Sequence, residues 1–492
     1  MKKNMRNFYV IRLMVSYSLL VACVLLTSAF RLPQEKELSF TTSDSQLQKA
    51  FDWAKVTALG YVGESTDPVG PWYEASLPQR EAFCMRDVSH QCAGAEVLGL
   101  SKENFNMFTK FAQNISESKD WCTYWEVNRY DKPAPIDYRS DKEFWYNLNA
   151  NFDVLDACYR TYLWSGNRHY IDDEFFLTFY EKTMTAYIER WQLQADRIMD
   201  RPRFMNSPVP FNIDDNYHRC RGLASYVENF DGLNVSADLL ASIYRGCISY
   251  SKLLELKGDM KGSNKYRIMA EDYATLLEDK WWDDSSKLYH TFYTEKKEFH
   301  KGEGETFILW FDIAKSAERI RATLAHMLSI NWNVENLSYF PKIFYSYAYN
   351  KEAYRQLTAL PAMDRSDYPE VSYSVMESIV AGTAGIQVDA GKKQIRTLSR
   401  LTPETEWINL QYLPAMGGAI SVRHDSTNKT TFKNHINQSV VWKAVFAGVH
   451  ANISCNGKLL SAKTEKDLLG NIYSYVELKV KPGKQVVATC KF

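Results

Sequence analysis

Three stretches of this chain gather acids, bases and cations at spacings that could do chemistry. The first is Leu77-Pro78-Gln79-Arg80-Glu81-Ala82-Phe83-Cys84-Met85-Arg86-Asp87-Val88-Ser89-His90. Arg86, Asp87 and His90 fall within one helical turn, which puts Asp87 and His90 on one face. The second is Asn212-Ile213-Asp214-Asp215-Asn216-Tyr217-His218-Arg219-Cys220-Arg221, after Arg201-Pro202-Arg203. The third is Tyr368-Pro369-Glu370-Val371-Ser372-Tyr373-Ser374-Val375-Met376-Glu377, with Glu370 and Tyr373 on one helical face. Each has a plainer explanation. A capped helix, a solvated loop and a Pro-started helix with an acid at its positive end use the same residue types.

Two chemistries fit these groups. Elimination beside a uronic-acid carboxylate needs a base for the C5 proton, a cation on the carboxylate and an acid for the leaving oxygen. Tyr217 and His218 are the candidate proton handlers. Arg86, Arg219 and Arg221 are candidate carboxylate forks, because guanidinium grips a carboxylate bidentately. Glycoside hydrolysis instead needs two carboxyl groups across the scissile bond. Glu81 or Asp87 with Glu370 could supply them, and Asn333-Val334-Glu335-Asn336 is a weaker site of the same kind. His90, Trp72, Tyr73, Trp145, Asn147 and Tyr373 are candidate substrate contacts. Trp121, Trp125 and Tyr146 flank the same loop, and core packing is expected to claim at least half of these aromatics.

The elements that must position these groups are mostly helical. Apolar residues at three- and four-residue spacing predict helices near 42–60, 86–98, 101–115, 145–165, 170–190, 233–257, 262–282, 303–313, 315–329, 339–349, 350–358 and 369–384. Loops near 61–85, 116–144 and 191–232 interrupt them and hold Pro, Asp, Arg and Trp. Loops of that length in a compact domain usually carry function. After Gly385, alternation at Ile420–Val422, Val440–Trp442, Ala451–Cys455 and Tyr475–Val480, with an Asn456-Gly457 turn, predicts a small β-sandwich.

Composition narrows the classes. The 492 residues carry 59 Lys+Arg and 59 Asp+Glu, and zero net charge argues against a nucleic-acid partner. Aromatic residues make up 14%, enough for a large core and a sugar-stacking cleft together. No GxGxxG, P-loop, HExxH or GxSxG is present, and no cysteine pair or metal cage stands out, so neither cofactor nor metal is expected. His169, His326 and His424 stand alone and read as structural. Residues 1–29 read as a targeting segment, either a signal peptide ending near Thr27-Ser28-Ala29 or a lipoprotein signal with Leu20-Val21-Ala22-Cys23 as lipobox. Both imply export, to the periplasm or to a membrane through a lipid on Cys23. The remaining eight cysteines read mostly as buried thiols.

About twelve paired helices followed by a β-sandwich resemble the six-hairpin, (α/α)6-toroid carbohydrate-active enzymes. That division gives a toroid over 30–385 and a sandwich over 386–492. Arg80-Glu81 with Met85-Arg86-Asp87 resembles the acidic, Arg-rich segment before an inner helix of α-L-rhamnosidase-like hydrolases, although Phe83-Cys84 replaces their Gly-Trp pair. Gly385-Ile386 and Gly417-Gly418-Ala419-Ile420-Ser421-Val422 resemble the passage from helices to sandwich. The resemblance implies Glu81 or Asp87 as acid. It also implies a second carboxylate before the last inner helix, among Asp364, Asp367 and Glu370. The layout is also similar to oligosaccharide dehydratases found beside ulvan-degrading enzymes. The leading expectation is elimination on an oligosaccharide ending in a uronic acid, leaving a 4,5-unsaturated uronate. The alternatives are an exo-acting hydrolase (glucuronidase- or α-L-rhamnosidase-like) and a glycan-binding lipoprotein.

Overall fold

A computed structural model describes residues 37–490. The targeting segment and Cys23 lie outside the described residues. Six helices, Met85–Val97, Ala150–Ser165, Ala237–Leu256, Glu305–Trp310, Val334–Ser346 and Pro369–Glu377, each pack against the next, and the last packs against the first. They close a ring. A second set packs outside it: Ser45–Gly60, Ser101–Gln113, Glu174–Lys182, Met260–Lys280, Ala317–Met327 and Asn350–Ala359.

Burial separates the two sets. Outer helix Ser45–Gly60 buries only Leu47, Ala50, Phe51, Ala54 and Ala58, one stripe, and leaves Val56 and Leu59 exposed. Inner helix Met85–Val97 is buried on nearly every side, including Ser89, His90, Gln91 and Glu96. A helix buried all round belongs inside, and an amphipathic one covers it. Gly94 lets the first and last inner helices touch, since a Cβ there would collide with the Tyr373 carbonyl.

The helices fall close to the expected ranges. Two differ in their starts by five residues: the helix expected from 145 begins at Ala150, after the short strand Tyr146–Asn147, and the helix expected from 339 begins at Val334, where the Asn333 side chain accepts from the Asn336 N–H at 2.9 Å. Pro341 lies inside that helix and disguises its beginning in the sequence.

Beyond Thr383 the chain forms two facing sheets. Trp407–Ala415 shows the alternating burial of a half-covered strand. Phe432 in the seven-stranded sheet stacks on Trp442 in the five-stranded one at 5.2 Å, and this pair lies in the sandwich core. Ser39–Thr42 adds to the larger sheet, pairing antiparallel with Trp407–Ala415. The C-terminal strands begin at Gln387, and the first described strand, Ser39–Thr42, belongs to the larger sheet. Among the described residues no helix is long and apolar enough to cross a membrane, and the eight cysteines are free and buried.

Candidate active site

All six inner helices carry a carboxyl group in their first turn: Asp87, Asp153, Asp238, Glu305, Glu335 and Glu370. Helix N-termini favour negative charge, so one end of the ring concentrates acids. Asp87, Glu335 and Glu370 line a cleft of about 530 Å³ at this end. The long loops build its rim, with Ser76 and Leu77 from the first, Trp125, Glu126 and Asp137 from the second, and Glu228 and Asn229 from the third. Short strands stitch these loops together. Ala82–Cys84 pairs with Glu126–Asn128, and Tyr146–Asn147 runs parallel to Arg221–Leu223.

Two of the acids are scaffold. Asp238 is fully buried and accepts from the Ser236 hydroxyl at 2.6 Å, the Ser225 hydroxyl at 2.9 Å, the Asn149 amide at 3.0 Å and the Tyr226 N–H at 3.2 Å. Burial raises it to about 6 against those bonds. Asp153 accepts from the Tyr226 hydroxyl at 2.7 Å, and burial holds its carboxyl well above the ordinary range. Together they fix Tyr226 on the cleft wall.

Glu370 is different. Burial pushes its carboxyl up to about 8, and the negative fields of Asp87 and Glu335 push the same way. Burial and like charge win over the helix dipole and the opposing Arg86. Asp87 has a fixed cation, the Arg86 Nε at 3.2 Å. One carboxyl thus holds its proton near neutrality while its neighbour is paired with a guanidinium. That division is the signature of an acid–base pair.

The outer cleft has a second pair. Burial raises both Glu126 and Asp137, and the neighbouring Asp137 also raises Glu126, opposed by Arg80, whose Nη1 lies 2.8 Å from Glu126 and 3.7 Å from Asp137. Trp125 and Trp145 pack at 4.4 Å and tile one wall. In all, seven carboxyl groups (Asp87, Glu126, Asp137, Glu228, Glu303, Glu335 and Glu370) face two guanidiniums, Arg80 and Arg86. Both guanidiniums already have acidic partners.

The structure brings Asp87, Glu370, Arg86 and Trp145 together, and moves the other candidates elsewhere. Tyr217 and His218 do not line the cleft. The Tyr217 hydroxyl donates to the Pro135 carbonyl at 3.1 Å and its ring lies under Arg139. His218 Nδ1 accepts from the Asn212 N–H at 3.2 Å, which leaves Nε2 to donate to Glu143 at 3.2 Å. Glu143, Asp215 and His218 come close enough to suggest a metal. Arg139, 3.0 Å from both carboxylates, already supplies the positive charge there.

Other corrections follow from burial. Arg221 is 1% exposed and ion-paired with Asp120 at 2.5 Å, a structural bridge. Arg219 is exposed and bonds to Asn216. Glu81 is an exposed surface residue, paired with Arg129 at 2.6 Å. Tyr73 and Tyr373 are fully buried and pack on each other at 4.8 Å. Trp72 is core, donating to Asp67 at 2.6 Å, and Asn147 is buried against the Ser225 carbonyl. His90 is buried among aromatic rings, 2.9 Å from the Tyr339 hydroxyl, and burial pushes its imidazole down. His169, His326 and His424 have local partners in Asp173, Glu305 and Thr430. Sequence reasoning missed Glu126, Asp137, Glu228, Glu303 and Tyr226 as cleft residues. The repeated acid in the first turn of each inner helix was the available signal for the deeper groups.

No family model matches the sequence, and no curated protein matches it. Solved structures do match in fold. An α-L-rhamnosidase from Dictyoglumus thermophilum aligns with 93% of this chain and 51% of its own, at 12% identity and a TM-score of 0.60. A GH78 family rhamnosidase of Bacillus sp. GL1 aligns with 81% of this chain and 40% of its own, at 12% identity and a TM-score of 0.54. A putative kojibiose phosphorylase from the human microbiome aligns with 96% of this chain and 73% of its own, at 10% identity and a TM-score of 0.52. The chain spans about half the length of the rhamnosidases it matches, and what it shares with all three is the six-hairpin glycosidase-like fold.

Proposed function

We propose that the closed ring is the (α/α)6 toroid of a carbohydrate-active enzyme, an exo-acting glycoside hydrolase that removes a neutral terminal sugar from an oligosaccharide. The observation that carries this is Glu370, a buried carboxyl that keeps its proton to about pH 8 beside the guanidinium-paired Asp87. Glu370 donates its proton to the glycosidic oxygen, and Asp87 acts on the other face of the sugar as the carboxylate partner. Trp125 and Trp145 offer flat apolar faces for the ring, while Glu335 and Glu303 offer acceptors to its hydroxyls. The fold shared with rhamnosidases and a phosphorylase is consistent with this chemistry but does not choose the sugar.

The cleft charge weighs against the elimination reading. A uronate entering it would meet the carboxyl groups of Asp87, Glu303 and Glu335, and the two guanidiniums there already have acidic partners. Like charges there oppose a carboxylate substrate. The candidate elimination base and acid, Tyr217 and His218, are also engaged outside the cleft. Aryl α-L-rhamnoside, α-D-glucoside and α-D-mannoside, together with uronate-terminated disaccharides, separate the readings. Release of a neutral sugar supports hydrolysis; a product lighter by one water with ultraviolet absorbance supports elimination.

A further inference from the structure

Beside the cleft lies a second, smaller pocket of about 160 Å³ that shares Glu228 and Asn229 with it. Three arginines line this pocket: Arg201, Arg203 and Arg219. Arg201 is 2% exposed. Its Nε donates to the Trp191 carbonyl at 3.2 Å and its Nη1 to the Asn234 carbonyl at 3.1 Å. Its Nη2 has no hydrogen-bond partner, and no carboxylate stands within ion-pairing distance among the described residues. Burial lowers this guanidinium to about 10, with no acid to restore it.

The contrast with Arg221 is informative. Arg221 is equally buried in the same loop region, and Asp120 neutralises it at 2.5 Å. A buried charge is ordinarily paired. Arg201 has carbonyl dipoles instead of a counter-ion. Asn234 lines the same pocket, and its Oδ1 is also buried without a partner. One orphan donor and one orphan acceptor therefore belong to two residues that line a single small cavity. Arg203 holds a long contact to the half-exposed Glu295, 3.4 Å, and lies over the Phe204 ring, and Arg219 bonds to the neutral Asn216. Two acids, Glu228 and Asp231, also line the pocket. Burial raises Glu228, and the three arginines outnumber the two acids.

We infer that this pocket binds an anionic substituent, a carboxylate or a sulfate ester, carried by a sugar next to the one released. Guanidiniums bind both oxyanions through paired N–H donors. The position beside the cleft rests on the hydrolase reading; the anion site does not. The acidic cleft then takes a neutral terminal sugar while the basic pocket holds an acidic neighbour.

The test is binding, read without turnover. The full chain is titrated calorimetrically with sodium sulfate and with sodium glucuronate, at ionic strength matched with sodium chloride. Saturable binding of at least one anion is expected. In the R203A/R219A double variant it weakens at least about tenfold, the loss of one charge-assisted hydrogen bond. Both positions are at the surface of the pocket, so circular dichroism should match the parent chain. Arg201→Met tests the buried group, and if it fails to fold the double variant decides. Preference for sulfate identifies a sulfate ester, and preference for glucuronate a carboxylate. Absence of saturable binding by either anion, or binding unchanged in the double variant, overturns the site. Neutral-glycoside hydrolysis without anion binding removes the pocket alone. Anion binding without hydrolysis removes the hydrolase reading alone.

Discussion

Asp87 raises the pKa of Glu370 across the junction of the first and last inner helices. Both sit in first turns, and Gly94 permits the close approach of their backbones to each other. Removing the Asp87 charge should let Glu370 ionise more readily. In Asp87→Asn the alkaline limb of the kcat/KM profile should move to lower pH, by about one unit or more for a like charge at this range. An unmoved limb would mean that Glu370 is not the titrating acid.

The same raised pKa has a cost in stability. The folded state binds the Glu370 proton more tightly than the unfolded chain, whose value is near 4.5. Its contribution is therefore complete below about 4.5 and fades as pH rises to about 8. Glu370→Gln removes the ionising group. Its melting temperature should exceed that of the parent at pH 8 to 9 and lose the advantage near pH 4. Equal pH dependence of the two melting curves would contradict the buried-acid assignment.

Asp238 is a joint in the scaffold. Four donors converge on it, and its loss leaves them unpaired inside the ring. Asp238→Ala should cost at least about 3 kcal/mol in urea unfolding. A cost under about 1 kcal/mol would show that water replaces the carboxylate.

Much of the architecture was legible in the sequence, because burial pattern and helix periodicity report the same fact. The inner helices are buried on nearly every side, as in Met85–Val97, and the outer ones on one stripe, as in Ser45–Gly60. The Asn456-Gly457 turn also sits where the strands Asn452–Cys455 and Lys458–Ser461 meet. The site was less legible. Asp87 and Glu370 stand out because each opens a helix. Glu126, Asp137 and Glu228 come from loops, whose residues carry no periodicity to say which way they face. Charge density misled as well. Arg221 and His218 look reactive in the sequence, yet Asp120 and Glu143 engage them. Loops this long need internal ion pairs to hold their shape, and those pairs mimic a catalytic cluster.

Tyr217 and His218 therefore provide a sharp control. Tyr217→Phe removes only the bond to the Pro135 carbonyl. Its kcat/KM should stay within about twofold of the parent, as for other surface changes. His218→Ala should loosen the loop and lower the melting temperature while leaving the pH profile unchanged. A loss of two orders of magnitude or more in Tyr217→Phe would restore the elimination mechanism.

Trp145 tests how the sugar is held. It packs against Trp125 at 4.4 Å and lines the cleft. Trp145→Ala should raise KM about tenfold with a smaller change in kcat, since an aromatic wall binds ground and transition states alike.

The most direct measurement is product mass with parent and Glu370→Gln chains on the same glycosides. The expected result is a gain of one water on cleavage by the parent, and a fall of at least about a thousandfold in kcat for Glu370→Gln, the scale of general-acid loss. A product lighter by one water, or parent-like turnover by Glu370→Gln, would contradict hydrolysis through this acid.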